Sequence, residues 1–121
     1  MVSFRSVAPI LPAADLDRWQ AHYTRLGFAV RVHASGYATA SRDGIALHFR
    51  CPPAGEAVPP GGAVYLGVDD APGLHAEWTA AGVGELGELW DPGFGVLEAV
   101  HTDPDGNLLR FGSPLSDRPR P

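Results

Sequence analysis

The sequence contains no lysine: all nine of its basic residues are arginine, and they stand against fourteen acidic residues for a formal net charge of -5. A protein that grips phosphates needs a concentrated basic patch, so nucleic acid is not expected as a partner, whereas a cationic ligand would be drawn in. Cysteine is reduced to Cys51 alone, which rules out an internal disulfide and a paired-cysteine metal knuckle. No apolar run approaches the ~20 residues of a membrane span, and the first residues lack the basic-then-apolar pattern of a signal peptide. No membrane partner is expected, and the expected compartment is the cytoplasm. Serine is sparse and never sits in a Gly-x-Ser-x-Gly elbow, which removes one common hydrolase nucleophile. A chain of 121 residues is one domain that buries roughly two-thirds of its unfolded surface.

What the chain does contain is a near repeat. Asp43-Gly44-Ile45-Ala46-Leu47-His48-Phe49 and Asp105-Gly106-Asn107-Leu108-Leu109-Arg110-Phe111 are close copies, each a turn feeding a strand. The duplication extends upstream. Residues 15–28 form an amphipathic helix pattern, with Leu16, Trp19, Tyr23 and Leu26 on one face, Asp15 as cap and Gly27 as stop. Residues 70–83 repeat it with Pro72 near the start, Leu74, Trp78 and Ala81 on the stripe and Gly82 as the stop. Asp15, Tyr23 and Gly27 match Asp70, Trp78 and Gly82 at a constant spacing of 55 residues. Apolar strands precede the helices at 4–11 and 63–68, and strand-like stretches separated by Gly and Asp turns follow them. The expected fold is α+β, with duplicated βαβββ modules forming a curved mixed sheet. The domain spans residues 1–112, with halves at about 3–50 and 63–112, a Pro- and Gly-rich linker at 51–62 and a flexible tail at 113–121.

Alternation within the last strand of each half sends Leu47, Phe49, Leu109 and Phe111 towards the helices and leaves His48 and Arg110 on the other side, facing a common cavity. His22 and His75 fall on helices, where exposed imidazoles are unremarkable, and the five histidines show no compact metal spacing. The run Asp103-Pro104-Asp105-Gly106-Asn107 lacks the later bidentate Glu of a calcium loop and is read as a turn. Phe94, between Pro92, Gly93 and Gly95, sits in a loop where an aromatic has little to bury against and is read as a ligand contact, with Trp90 beside it.

The twofold βαβββ order, the Leu26-Gly27-Phe28 that closes the first helix and the Asp103–Asn107 turn resemble the vicinal-oxygen-chelate superfamily, which includes glyoxalase I, extradiol dioxygenases, fosfomycin-resistance enzymes and bleomycin-resistance proteins. In its metal-dependent members, the resemblance implies ligands at positions held here by Ala8, His48, Ala63 and Arg110. One imidazole, two methyl groups and a permanent cation do not make a metal site, so no metal and no other cofactor is expected. Ala8-Pro9-Ile10-Leu11 is similar to the proline-hinged first strand by which bleomycin-resistance proteins exchange an arm between subunits, and Leu74-His75-Ala76-Glu77-Trp78 is similar to their second helix. Phe94-Gly95 falls where that group has an aromatic-Gly pair that stacks on the drug, and Glu98 matches a Glu nearby. Val32 or His33 stands where the opposing aromatic is expected, and Tyr37 and Tyr65 match groove aromatics. The resemblance implies a homodimeric, non-enzymatic protein that sequesters a planar small-molecule ligand, a cationic antibiotic of bleomycin type or a related metabolite. Its ligand residues would be Val32, His33, Tyr37, His48, Tyr65, Trp90, Phe94, Glu98 and Arg110. The alternative is a small glyoxalase- or dioxygenase-like lyase or transferase with an atypical site.

Overall fold

The computed structural model describes residues 1–115. Asp15 opens the first helix, α1 (Leu16–Arg25), its carboxylate accepting the Asp17 and Arg18 N–H groups that the first turn leaves without partners. Asp70 does the same for α2 (Ala71–Ala81), accepting the Gly73 N–H at 2.9 Å, with Pro72 in the first turn where a missing N–H costs nothing. Eight strands surround the helices: β1 (Ile10–Pro12), β2 (Ala29–Val32), β3 (Tyr37–Arg42), β4 (Ile45–Arg50), β5 (Ala63–Gly67), β6 (Glu85–Leu86), β7 (Val96–Thr102) and β8 (Leu108–Pro114). They form two four-stranded sheets, β1-β4-β3-β2 and β5-β8-β7-β6, each with one parallel pair in an otherwise antiparallel ladder. The expected α+β fold of two βαβββ modules is thus present, each module contributing one mixed four-stranded sheet.

One core serves both halves. Leu47 and Phe49 of β4 and Ala38 and Ala40 of β3 are buried against Trp19, Tyr23 and Leu26, while Leu109 and Phe111 of β8 and Ala99 of β7 are buried against Trp78. Trp19 and Tyr23 meet Phe49 with ring centroids 5.2 and 4.8 Å apart, and Trp78 meets Phe111 edge-on at 5.2 Å, arrangements that suit the aromatic quadrupole. Polar contacts tie the modules across this core. The Trp78 indole N–H donates to the Leu26 carbonyl at 2.9 Å, and Arg42 donates twice to Glu77.

The Asp103–Asn107 turn is the strongest tie. The Asp103 carboxylate is buried and accepts the Tyr23 hydroxyl at 2.7 Å, the Asn107 amide at 2.9 Å, and the backbone N–H groups of Asp105 and Asn107. Asn107 also donates to the Pro12 carbonyl and accepts the Gly62 N–H, and Asp105 accepts from Ala14 and Arg18 at the start of α1. Its counterpart, Asp43-Gly44, is a two-residue hairpin between β3 and β4 with φ of 50° and 78°, the mirror-image turn geometry that fits strand twist.

Three expectations are corrected. The first strand is only Ile10–Pro12, and the preceding apolar residues stand in the open, Phe4 100% and Val7 94% exposed. Ser113 and Pro114 belong to β8, and Ser113 is buried with its hydroxyl accepting the Ala71 N–H at 2.9 Å; the rest of the expected tail, 116–121, lies outside the described residues. His22 is buried rather than exposed, because α1 turns it inward onto β7.

Candidate functional site

Each sheet buries one face against the helices and leaves the other open, and strand alternation sorts the side chains between them. On the N-terminal sheet the register places His48 beside Thr39, Arg50 beside Tyr37 and Arg31 beside Thr39, all turned away from the core. Two hydrogen bonds organise this face: Tyr37 Oη with His48 Nδ1 at 2.7 Å, and His33 Nε2 with Thr39 Oγ1 at 3.0 Å. Of the two residues expected to oppose the stacking aromatic, only His33 joins the group. Val32 pairs with the buried Ala38, so its side chain projects with the core-facing row at the sheet's edge. Arg31, Thr39 and Arg50 were missed by the sequence reading, although counting alternation outward from His48 finds them.

On the C-terminal sheet the open row runs through Tyr65 of β5, Arg110 and Gly112 of β8 and Glu98 of β7, with Trp90 bridged to Glu98 beyond the sheet. Tyr65 is 51%, Trp90 55% and Phe94 82% exposed. The Tyr65 hydroxyl is held above the ordinary tyrosine pKa, first by hydrogen bonding to Glu98 and then by partial burial. Phe94 stands at the tip of the loop between Trp90 and β7, flanked by Gly93 and Gly95 with φ of 96° and 78°. These conformations suit glycine and leave the ring unsupported.

His48 and Arg110, expected to share a cavity, belong to different sheets. They lie on the open faces of these sheets, and among the described residues no hydrogen bond or ion pair joins them. His48 has Ile10 beside it on β1, and Arg110 has Tyr65 beside it on β5, each with alanine (Ala8, Ala63) two residues earlier. Among the described residues no group of three His, Cys, Asp or Glu side chains gathers as a metal would require. A recess of about 250 Å³ lies at the β1 edge of the N-terminal sheet, lined by Ile10–Pro12, Arg50, Gly62 and the linker prolines. It is smaller than the 300 Å³ or so of ordinary ligand pockets and contains none of the expected site residues.

The sequence reading also missed a buried polar pair in the core: His22 Nε2 and His101 Nε2 approach to 2.9 Å. Burial lowers the pKa of both, that of His101 to about 4, with the His22 charge adding to the effect and Asp103 opposing it.

Two βαβββ modules, each built on a four-stranded mixed sheet with one parallel pair, define the class of fold. The chain belongs to the Glyoxalase/Bleomycin resistance protein/Dioxygenase superfamily, whose family model matches residues 5–111. Its structure is similar to that of a bleomycin resistance determinant encoded on transposon Tn5, with 25% identity, a TM-score of 0.78 and coverage of 92% of this chain and 98% of the other. It is also similar to the bleomycin-binding protein of bleomycin-producing Streptomyces verticillus in complex with copper(II)-bleomycin, with 26% identity, a TM-score of 0.74 and coverage of 92% and 97%. A glyoxalase-related enzyme from Clostridium phytofermentans shares the fold at 18% identity, a TM-score of 0.76 and coverage of 93% and 97%. No curated protein matches the sequence. No helix among the described residues is long and apolar enough to cross a membrane.

Proposed function

We propose that this protein is a non-enzymatic, cytoplasmic sequestering protein that captures a planar, cationic antibiotic of bleomycin type, or a related metabolite, and so confers resistance. The observation that carries this reading is Phe94, 82% exposed on a glycine-flanked loop beside a half-exposed Trp90. Exposed aromatics of this size, next to a carboxylate on an acidic protein, suit stacking on a flat cationic ligand. The similarity to a bleomycin resistance determinant and to a bleomycin-binding protein supports the same ligand class. The groove is completed by a second subunit: the C-terminal open face with Tyr65, Trp90, Phe94, Glu98 and Arg110 lies against the partner's N-terminal face with His33, Tyr37 and His48. The dimer is held by the exposed arm before β1, whose Phe4 and Val7 have no partner in their own chain among the described residues.

Isothermal titration with metal-free bleomycin and with its copper(II) complex tests the reading. Binding in the micromolar range or tighter is expected, and Phe94→Ala should weaken it by roughly 1–3 kcal/mol, about ten- to a hundredfold, with little loss of stability. No heat with bleomycin or with other planar cationic antibiotics would refute sequestration. One observation favours a second reading, a metal-free enzyme of the same superfamily: the 2.7 Å contact of Tyr37 with His48 is an acid–base pair on an open face. Turnover of an added substrate, abolished by His48→Ala, would decide for it.

A further inference from the structure

Building on the reading of the C-terminal open face as a ligand surface, we propose that it carries a box for an organic monocation of the alkylammonium type, with Glu98 as counter-ion and the Trp90 and Tyr65 rings as walls. Strand register sets the row. Trp90 and Glu98 exchange backbone hydrogen bonds of 2.9 and 3.0 Å, so directly opposed side chains share one face. On its other side Glu98 opposes Gly112, and Tyr65 follows one strand further, opposite Arg110.

Gly112 explains how Tyr65 reaches Glu98. Alternation points position 112 outward, yet the residue is buried. A Cβ there would collide with the Tyr65 hydroxyl and lie 3.1 Å from Glu98 Cγ. The phenol therefore lies across β8 in space that only glycine vacates, which brings its hydroxyl beside the Glu98 side chain. Both rings are about half exposed, so their surfaces on this side are open to a ligand. A quaternary alkylammonium ion, with no N–H groups to hydrate, loses less on leaving water than a primary one and is attracted both by ring faces and by the carboxylate. A metal ion finds no three gathered donors on this face. Arg110, on the same face and in no ion pair among the described residues, repels a second positive charge, which restricts the occupant to a single cationic centre.

The test uses choline and its uncharged isostere 3,3-dimethylbutan-1-ol, titrated against the purified protein by tryptophan fluorescence. Trp19 and Trp78 are 1% and 2% exposed, so the emission change reports Trp90. Choline should give a saturable change and the alcohol none. Glu98→Gln should weaken choline about tenfold or more, and Tyr65→Phe and Gly112→Ala should weaken it too, each checked for folding by its thermal melt. Arg110→Gln should tighten it. Equal response to both probes, no response to choline, or unchanged affinity in the folded Glu98→Gln variant would overturn the box. Bleomycin bound equally by wild type and Glu98→Gln would remove the box and leave sequestration standing. Choline bound through Glu98 by a protein that ignores planar antibiotics would do the reverse.

Discussion

Acid should loosen this protein through a single buried pair. His22 and His101 meet Nε2 to Nε2 at 2.9 Å between α1 and β7, and His101 Nδ1 is buried without a partner among the described residues. The bond works only if one Nε2 carries a proton and the other does not. The orphaned Nδ1 indicates which: as a bare acceptor it costs less than as an unpaired N–H, so His101 donates through Nε2 and His22 accepts. A second proton on His101 would strand a buried N–H at Nδ1, and one on His22 would set two N–H groups against each other. Burial accordingly pushes the His101 pKa down from 6.5 to about 4 and lowers that of His22 as well; Asp103 and Asp105 resist the shift at His22 and Arg18 adds to it. A group depressed on folding is bound by protons first in the unfolded state. Stability is therefore complete above about pH 6.5 and falls as the pH drops, by about 1.4 kcal/mol per pH unit for His101 alone, levelling off near pH 4 after a loss of roughly 3 kcal/mol. Urea unfolding at fixed protein concentration, followed by tryptophan fluorescence from pH 7.5 to 4.5, measures the slope. His101→Leu should flatten it while lowering stability at neutral pH, since the His22 nitrogen then loses its partner. A wild-type stability that stays level from pH 7 to 5, or a His101→Leu variant with the wild-type slope, would refute the reasoning.

Asp103→Ala should cost about 3 kcal/mol or more at neutral pH, because it strands the buried Tyr23 hydroxyl and three further donors that the carboxylate satisfies; thermal melting would show it, and a shift of only a degree or two would mean that water replaces the carboxylate. Light scattering at micromolar concentration should give the mass of a dimer, and deleting residues 1–8 should reduce it to a monomer; a monomer mass for the intact chain would sink the arm-exchanged assembly.

The helices and their caps were legible in the sequence because they depend on near neighbours, and the duplication because the same local pattern recurs 55 residues on: Asp15 and Asp70 cap, Trp19, Tyr23 and Trp78 line the buried stripes, and Asp43-Gly44 turns between strands. The faces of the last strands were legible for the same reason, since a period of two places Leu47, Phe49, Leu109 and Phe111 inward wherever the strand lies. Packing decided the rest. The sequence could place His22 on a helix but not orient it, because its burial depends on β7, 79 residues away. It could point to Phe94 and Glu98 but not to Gly112, whose lack of a side chain matters only once Tyr65 of another strand lies over it. That His48 and Arg110 fall in different sheets follows from strand pairing, β4 between β1 and β3 and β8 between β5 and β7, which is set by contacts remote in sequence.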